Sequence, residues 1–181
     1  MRRLGCAALA AGLVLAGCSS ADDGVAGTTA AAGSGAVVAP GDSGEVVPQG
    51  FDTIAVRVLE PLREWCLWLA ATADERARGL MGVTSLDGAD GMLFDFGGVS
   101  TGEFWMYQTV LPLSIAFYDE SGDFVSSADM DPCTTTNSAE CARYAATGPY
   151  AYAIEVAKGD LERLGLVAGS RIEPGDACAI G

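Results

Sequence analysis

Apolar and polar positions fall into short, separate patterns along this chain. Ile54, Val56 and Val58 alternate with Ala55 and Arg57, the period of a half-buried strand. Glu60-Pro61 interrupts that pattern, and the apolar run at 65–70, with two Trp residues, reads as a second strand. Thr72-Ala73-Asp74-Glu75 has the form of a capping box, in which a hydroxyl and a carboxylate each satisfy a free N–H at a helix start. It predicts a short helix through Arg76 and Arg78 that stops near Gly79 or Gly82. After Leu86 the pattern is mainly β, with strands at 91–96, 103–107, 111–118, 124–130 and 150–157. Asp119-Glu120-Ser121-Gly122-Asp123 forms a hairpin loop between two of them. Residues 159–164 read as one or two helical turns, and 170–173 as a strand that could close the sheet. The expected fold is therefore mainly β: a small β-barrel or β-sandwich of about seven to nine short strands with one or two short helices.

The first residues follow a different logic. Arg2 and Arg3 precede an apolar stretch at 4–15. A membrane-spanning helix needs about 20 apolar residues, so this stretch suits the core of a signal peptide. Leu15-Ala16-Gly17-Cys18 then resembles the lipobox of bacterial lipoproteins. That resemblance implies removal of 1–17, a diacylglyceryl group on the Cys18 sulfur, palmitate-type acyl chains and a membrane anchor facing away from the cytoplasm. Two acyl chains hold a protein firmly where one does not. From 19 to 50 there is no aromatic residue, no Leu and no Ile. Such a segment cannot bury enough apolar surface to offset its ordering entropy, so 18–50 reads as a lipidated Cys and a spacer. Its r.m.s. span is on the order of 30 Å. Residues 51–181 remain for one globular domain.

Composition narrows the chemistry. The chain has 181 residues, 10 Lys+Arg, 24 Asp+Glu, no His and a net charge of −14. Without His there is no Ser-His-Asp or Cys-His nucleophile, no His-ligated zinc and no His-based pH switch. The acidic balance argues against a nucleic-acid partner and against polybasic attachment to lipid. Of the six Cys, the lipobox resemblance implies that Cys6 leaves with the leader and that Cys18 takes lipid. Cys66, Cys133, Cys141 and Cys178 form an even set in an exported chain, which reads as disulfides. Four Cys allow three pairings. The favoured one closes the short polar loop Cys133–Cys141 and leaves Cys66–Cys178 to staple an early strand to the tail. No C-x-x-C pair supports a metal site, and no cofactor motif is present.

Several polar clusters have bland explanations. Met81, Met92 and Met106 are soft ligands in principle, but Met at such spacing fills core gaps. Asp87-Gly88-Ala89-Asp90-Gly91 lacks the acceptor set of a Ca²⁺ loop and reads as a turn. Glu103, Asp129 and Asp131 are candidates for acid–base work, but so acidic a chain brings carboxylates together by chance. In the strand Phe104-Trp105-Met106-Tyr107, Phe104 and Met106 share one face and Trp105 and Tyr107 the other. If the second face meets solvent, Trp105 and Tyr107 are the best surface-site candidates.

Arg76-Ala77-Arg78-Gly79-Leu80-Met81-Gly82, Gly91-Met92-Leu93-Phe94, Phe104-Trp105-Met106, Pro112-Leu113-Ser114-Ile115-Ala116-Phe117 and Gly122 form an ordered series. With Tyr152-Ala153-Ile154-Glu155-Val156 and Gly165-Leu166-Val167-Ala168-Gly169, it resembles domain-of-unknown-function family 192 over roughly residues 65–172. The resemblance implies a compact, mainly β domain of small envelope or secreted proteins with no established activity. The chain departs from that pattern at Val83 (commonly Arg), Tyr107 and Gln108 (commonly Lys and Asn) and Ser114 (commonly Asp). A polar site built from those groups would be altered or absent here.

No complete catalytic constellation emerges. The expectation is a membrane-tethered, non-enzymatic binding or accessory domain of the cell envelope. Its candidate ligand groove comprises Trp105, Tyr107, Gln108 and Thr109, edged by Arg76, and its partners are the membrane and an envelope ligand or protein. The alternatives are an envelope hydrolase using carboxylates and a purely structural lipoprotein. Two carboxylates in one deep pocket, one of them strongly desolvated, would favour the hydrolase.

Overall fold

The computed structural model describes residues 44–181. The leader, Cys18 and the spacer up to residue 43 lie outside the described residues. The described residues form nine strands and two short helices, of which the strand at Arg143–Ala145 is not expected from the hydrophobic pattern. Strands β1 (Asp52–Leu59) and β2 (Leu62–Ala70) form an antiparallel hairpin. Helix α1 (Ala73–Arg78) crosses to β3 (Met92–Ser100), which pairs parallel with β2. Next come β4 (Glu103–Trp105), β5 (Leu113–Tyr118), β6 (Phe124–Met130), β7 (Arg143–Ala145) and β8 (Tyr150–Ala157). Helix α2 (Leu161–Leu164) and β9 (Ile172–Pro174) complete the chain.

Seven strands make one mixed sheet in the order β6-β5-β8-β3-β2-β1-β9, and β4 pairs with β7 in a separate ribbon. The mainly β class read from the sequence is the class observed. The sheet does not close into a barrel. Instead β9 lies at one edge beside β1, and the segment just before it reaches the far edge. Leu59 N–H donates to Arg171 O at 2.9 Å, while Phe124 N–H donates to Ser170 O at 3.1 Å. One end of the curled sheet is thus tied across by backbone hydrogen bonds.

Both faces of the sheet are covered. Leu113, Ile115 and Phe117 join a cluster with Met92, Phe94 and Met106, while Ala116 and Tyr118 join a second with Val56, Leu93 and Ile154. Alternate residues of a strand point to opposite faces, so β5 serves both clusters and is buried at every position. That explains its continuous apolar run. Each large apolar side chain so buried stabilises the fold by about 1.5–3 kcal/mol. Met92 and Met106 lie wholly within the first cluster. Asp129 accepts the Ser114 hydroxyl at 2.6 Å and Asp131 pairs with Lys158 at 2.6 Å, so both carboxylates are engaged.

Disulfides join Cys66 to Cys178 and Cys133 to Cys141. The first pins the C-terminal tail to β2. The second closes the loop that leads into β7, and the Cys133 carbonyl accepts from Gln108 N–H. The structured chain begins before Phe51: Val46 N–H donates to the Thr84 hydroxyl at 2.7 Å, and Pro48 is buried. Residues 44–50, read above as the end of the spacer, therefore lie against the domain.

Candidate functional site

A cavity of about 410 Å³ opens beside α1 and is walled by β3, the β4–β7 ribbon and β8. Its position begins with the capping box. The Thr72 hydroxyl accepts from Glu75 N–H at 3.2 Å, and Glu75 Oε2 accepts from Thr72 N–H at 2.8 Å. These hydrogen bonds, chiefly that from the Thr72 backbone, hold the Glu75 carboxyl below its ordinary pKa. The helix ends at Gly79, whose φ of 46° suits glycine. A Cβ there would also come within 3.2 Å of the Phe94 ring. The tight close buries Leu80 in the core and leaves Arg76 and Arg78 on the cavity wall.

The opposite wall is aromatic. Phe104 packs edge-on against Phe94 with ring centroids 5.1 Å apart, and Phe96 packs edge-on against Tyr150 at 5.2 Å. Trp105, next along β4, lines the same cavity. Its cross-strand partner is Arg143, whose guanidinium lies 3.8 Å from the Trp105 ring centroid. The Tyr150 hydroxyl donates to Gly102 O at 3.0 Å, and burial pushes that phenol upward in pKa.

Three arginines therefore line one cavity: Arg76, Arg78 and Arg143. The domain after residue 50 has eight basic and twenty acidic residues, so this is a local reversal of its charge. Arg57, Lys158, Arg163 and Arg171 each pair with a carboxylate. Among the described residues, none of the three cavity arginines does. Arg76 donates to the carbonyls of Ala71 and Asp95 and lies over Phe96; Arg78 donates to Gly50 O and lies over Phe51. Arg143 has its contact with Trp105 and no hydrogen-bond acceptor among the described residues.

Two carboxyl groups line the same cavity, Glu103 and Glu155. Glu103 is exposed at the start of β4. Glu155 is only 4% exposed, in the middle of β8. It faces Met92 across one ladder and Ile115 across the other, so its immediate strand neighbours are apolar. Its carboxyl has no hydrogen-bond or charge partner among the described residues, yet no buried side-chain oxygen is both sealed and unpartnered. The carboxyl oxygens thus keep an opening, and the opening is the cavity they line. Desolvation alone raises its pKa from 4.5 to about 8, so it is a neutral hydrogen-bond donor at pH 7.

The groove residues read from the sequence divide. Arg76, Trp105 and Thr109 line the cavity; Tyr107 and Gln108 do not. Tyr107 stands beside Trp105, ring centroids 6.1 Å apart, and Gln108 Nε2 donates to its hydroxyl at 3.2 Å. Gln108 has a φ of 54° and carries a backbone role: its carbonyl accepts from Gly82 N–H. None of the four departures from the family pattern (Val83, Tyr107, Gln108 and Ser114) lines the cavity. Val83 belongs to the core, and Ser114 is buried against Asp129.

The residues missed were Arg143 and Glu155. Glu155 had a signal, since a lone acid in the apolar strand Tyr150–Ala157 breaks the pattern of a buried element. Arg143 had none. Its strand has three residues, and only the ladder with β4 brings it to Trp105.

The sequence model of domain-of-unknown-function family 192 (DUF192, "Uncharacterized ACR") matches residues 56–174. No curated protein matches the chain. A solved structure from Sinorhizobium meliloti 1021, described as a "putative transcription regulator", is 28% identical with a TM-score of 0.59. The match covers 72% of this chain and 98% of that one. A protein of unknown function from Novosphingobium aromaticivorans DSM 12444 is 27% identical, with a TM-score of 0.59, over 72% of this chain and 93% of its own.

Proposed function

We propose a function for a chain that belongs to domain-of-unknown-function family 192: a membrane-tethered, extracytoplasmic lipoprotein whose globular domain is a binding module. The observation that supports binding is the cavity beside α1. Among the described residues, it gathers three arginines that make no ion pair with a carboxylate, a half-buried Trp and a buried carboxyl with no hydrogen-bond partner. Groups of this kind are stabilised by a ligand that supplies what the protein withholds. The tether rests on Leu15-Ala16-Gly17-Cys18 and the apolar-poor segment after it.

Two experiments test the two halves. Intact-mass analysis of the full chain recovered from the membrane fraction of a bacterial host should show a mature form beginning at a diacylglyceryl-modified Cys18. An unmodified form in the soluble fraction would refute the anchor. A fractionated extract of polar small molecules should contain a component that raises the Tm of the wild-type domain and not that of Arg143→Gln. An unchanged Tm with every fraction would refute the binding module.

One observation favours a second reading. Glu103 and Glu155 line one cavity, and Glu155 is strongly desolvated, a feature that catalytic carboxyl pairs share. The readings separate at Glu155→Gln. An enzyme loses turnover with that variant, whereas a binding module keeps its ligand because the amide still donates a hydrogen bond.

A further inference from the structure

We infer that the cavity takes a small organic anion built on a flat ring, its carboxylate or phosphate on Arg143 and an acceptor atom on the Glu155 carboxyl. This rests on the binding-module reading and adds the chemistry of the ligand. The charge comes first. The lining carries three arginines against Glu103 and Glu155. With Glu155 neutral, the wall is net positive inside a domain that is net negative. Such a site attracts anions and repels cations. Arg78 and Arg143 are both exposed, but Arg78 donates to Gly50 O, whereas the donors of Arg143 have no acceptor among the described residues. A guanidinium fork of this kind matches a carboxylate or phosphate edge.

The ring follows from the walls. Phe96, Phe104 and Trp105 present aromatic surface to a space of about 410 Å³, which holds a ring with one charged group. Arg143 already stacks on Trp105, so an anion held by Arg143 keeps its attached body against that indole. Glu155 supplies the third point. Its carboxyl opens into the cavity and has no acceptor among the described residues.

Around Glu155, β3 and β5 contribute Met92 and Ile115, and neither is charged. The charged or titratable groups sharing its cavity are Arg76 and Arg78 from α1, Glu103 from β4, Arg143 from β7 and Tyr150 from β8. Above about pH 8 Glu155 ionises, stops donating and repels an anion.

Calorimetry with five probes tests the inference: phenyl phosphate, phenylacetate, 2-phenylethanol, phenethylamine and hexanoate. Both ring anions should bind at least about tenfold more tightly than 2-phenylethanol, phenethylamine and hexanoate. Arg143→Gln should remove that advantage, and Arg171→Gln, away from the cavity, should not. Wild-type affinity for phenylacetate, which stays ionised throughout, should fall severalfold from about pH 6 to about pH 9.5, and Glu155→Gln should flatten the fall. Equal or tighter binding of 2-phenylethanol, phenethylamine or hexanoate would overturn the ligand class and leave the binding module standing. An unchanged affinity in Arg143→Gln would overturn the anchoring point. No binding of any probe would overturn the inference; the extract experiment above then decides the module separately.

Discussion

Glu155 stands directly opposite Met92 in the antiparallel pairing of β3 and β8, so a carboxyl group and a thioether share the core side of the sheet. The position is intelligible only if the carboxyl stays protonated, because an unpaired carboxylate there would cost several kcal/mol.

The consequence is a specific pH dependence of stability. The Glu155 pKa is about 8 in the folded chain against an ordinary 4.5. Between those values the unfolded chain has released the proton and the folded chain still holds it. The unfolded state binds fewer protons, so stability falls as pH rises through that window and levels off above it. Glu155→Gln does not titrate. Its stability relative to wild type should therefore grow by a few kcal/mol between pH 5 and pH 8, measured by urea unfolding. A constant difference between the two proteins across that range would contradict the assignment.

The capping box should matter beyond its own turn. Thr72→Ala removes the acceptor for Glu75 N–H from a helix of six residues. The expected loss is about 1 kcal/mol of unfolding free energy. Since α1 carries Arg76 and Arg78 to the cavity wall, faster amide exchange at its N-terminus should accompany that loss.

The two disulfides should differ in weight. Cys66–Cys178 spans 112 residues and Cys133–Cys141 spans 8. In the chain-entropy account, paired Cys→Ser replacement costs about 5 kcal/mol for the long bridge and about 3 for the short one. Denaturant midpoints of the two double variants give the comparison. Equal losses would show that strain or residual structure outweighs loop length.

Gln108→Asn should stabilise the domain. Gln108 has a φ of 54°, and Asn tolerates that region better than other residues with a side chain. The gain should be about 0.5 kcal/mol, read as a rise in Tm. It also supplies a backbone reason for the Asn that the family pattern commonly has there.

The pattern of the chain revealed most of the fold because the sheet is written in local signals. Ile54, Val56 and Val58 mark β1, Thr72 and Glu75 mark the helix start, and Tyr150–Ala157 matches β8 residue for residue. The short ribbon strand β7 was not legible, since Arg143–Ala145 has no period of its own and forms only against β4. The order of strands was also beyond reach: β8 lies between β3 and β5, a choice made by packing on both faces. The site was half visible. Trp105, Thr109 and Arg76 stood out by type, whereas Arg143 enters only through the ladder. The departures at Tyr107, Gln108 and Ser114 suggested an altered site, but their positions are structural ones away from the cavity.

The central claim is that ligand enters beside Trp105, and its indole N–H is the most direct witness. The other two indoles are fixed by backbone carbonyls, Trp65 by Leu164 and Trp68 by Leu86. In ¹⁵N-labelled protein titrated with phenyl phosphate, the Trp105 indole resonance should shift saturably while those of Trp65 and Trp68 stay in place. A Trp105 resonance that does not move while binding is detected, or that moves no more than the other two, would contradict the account.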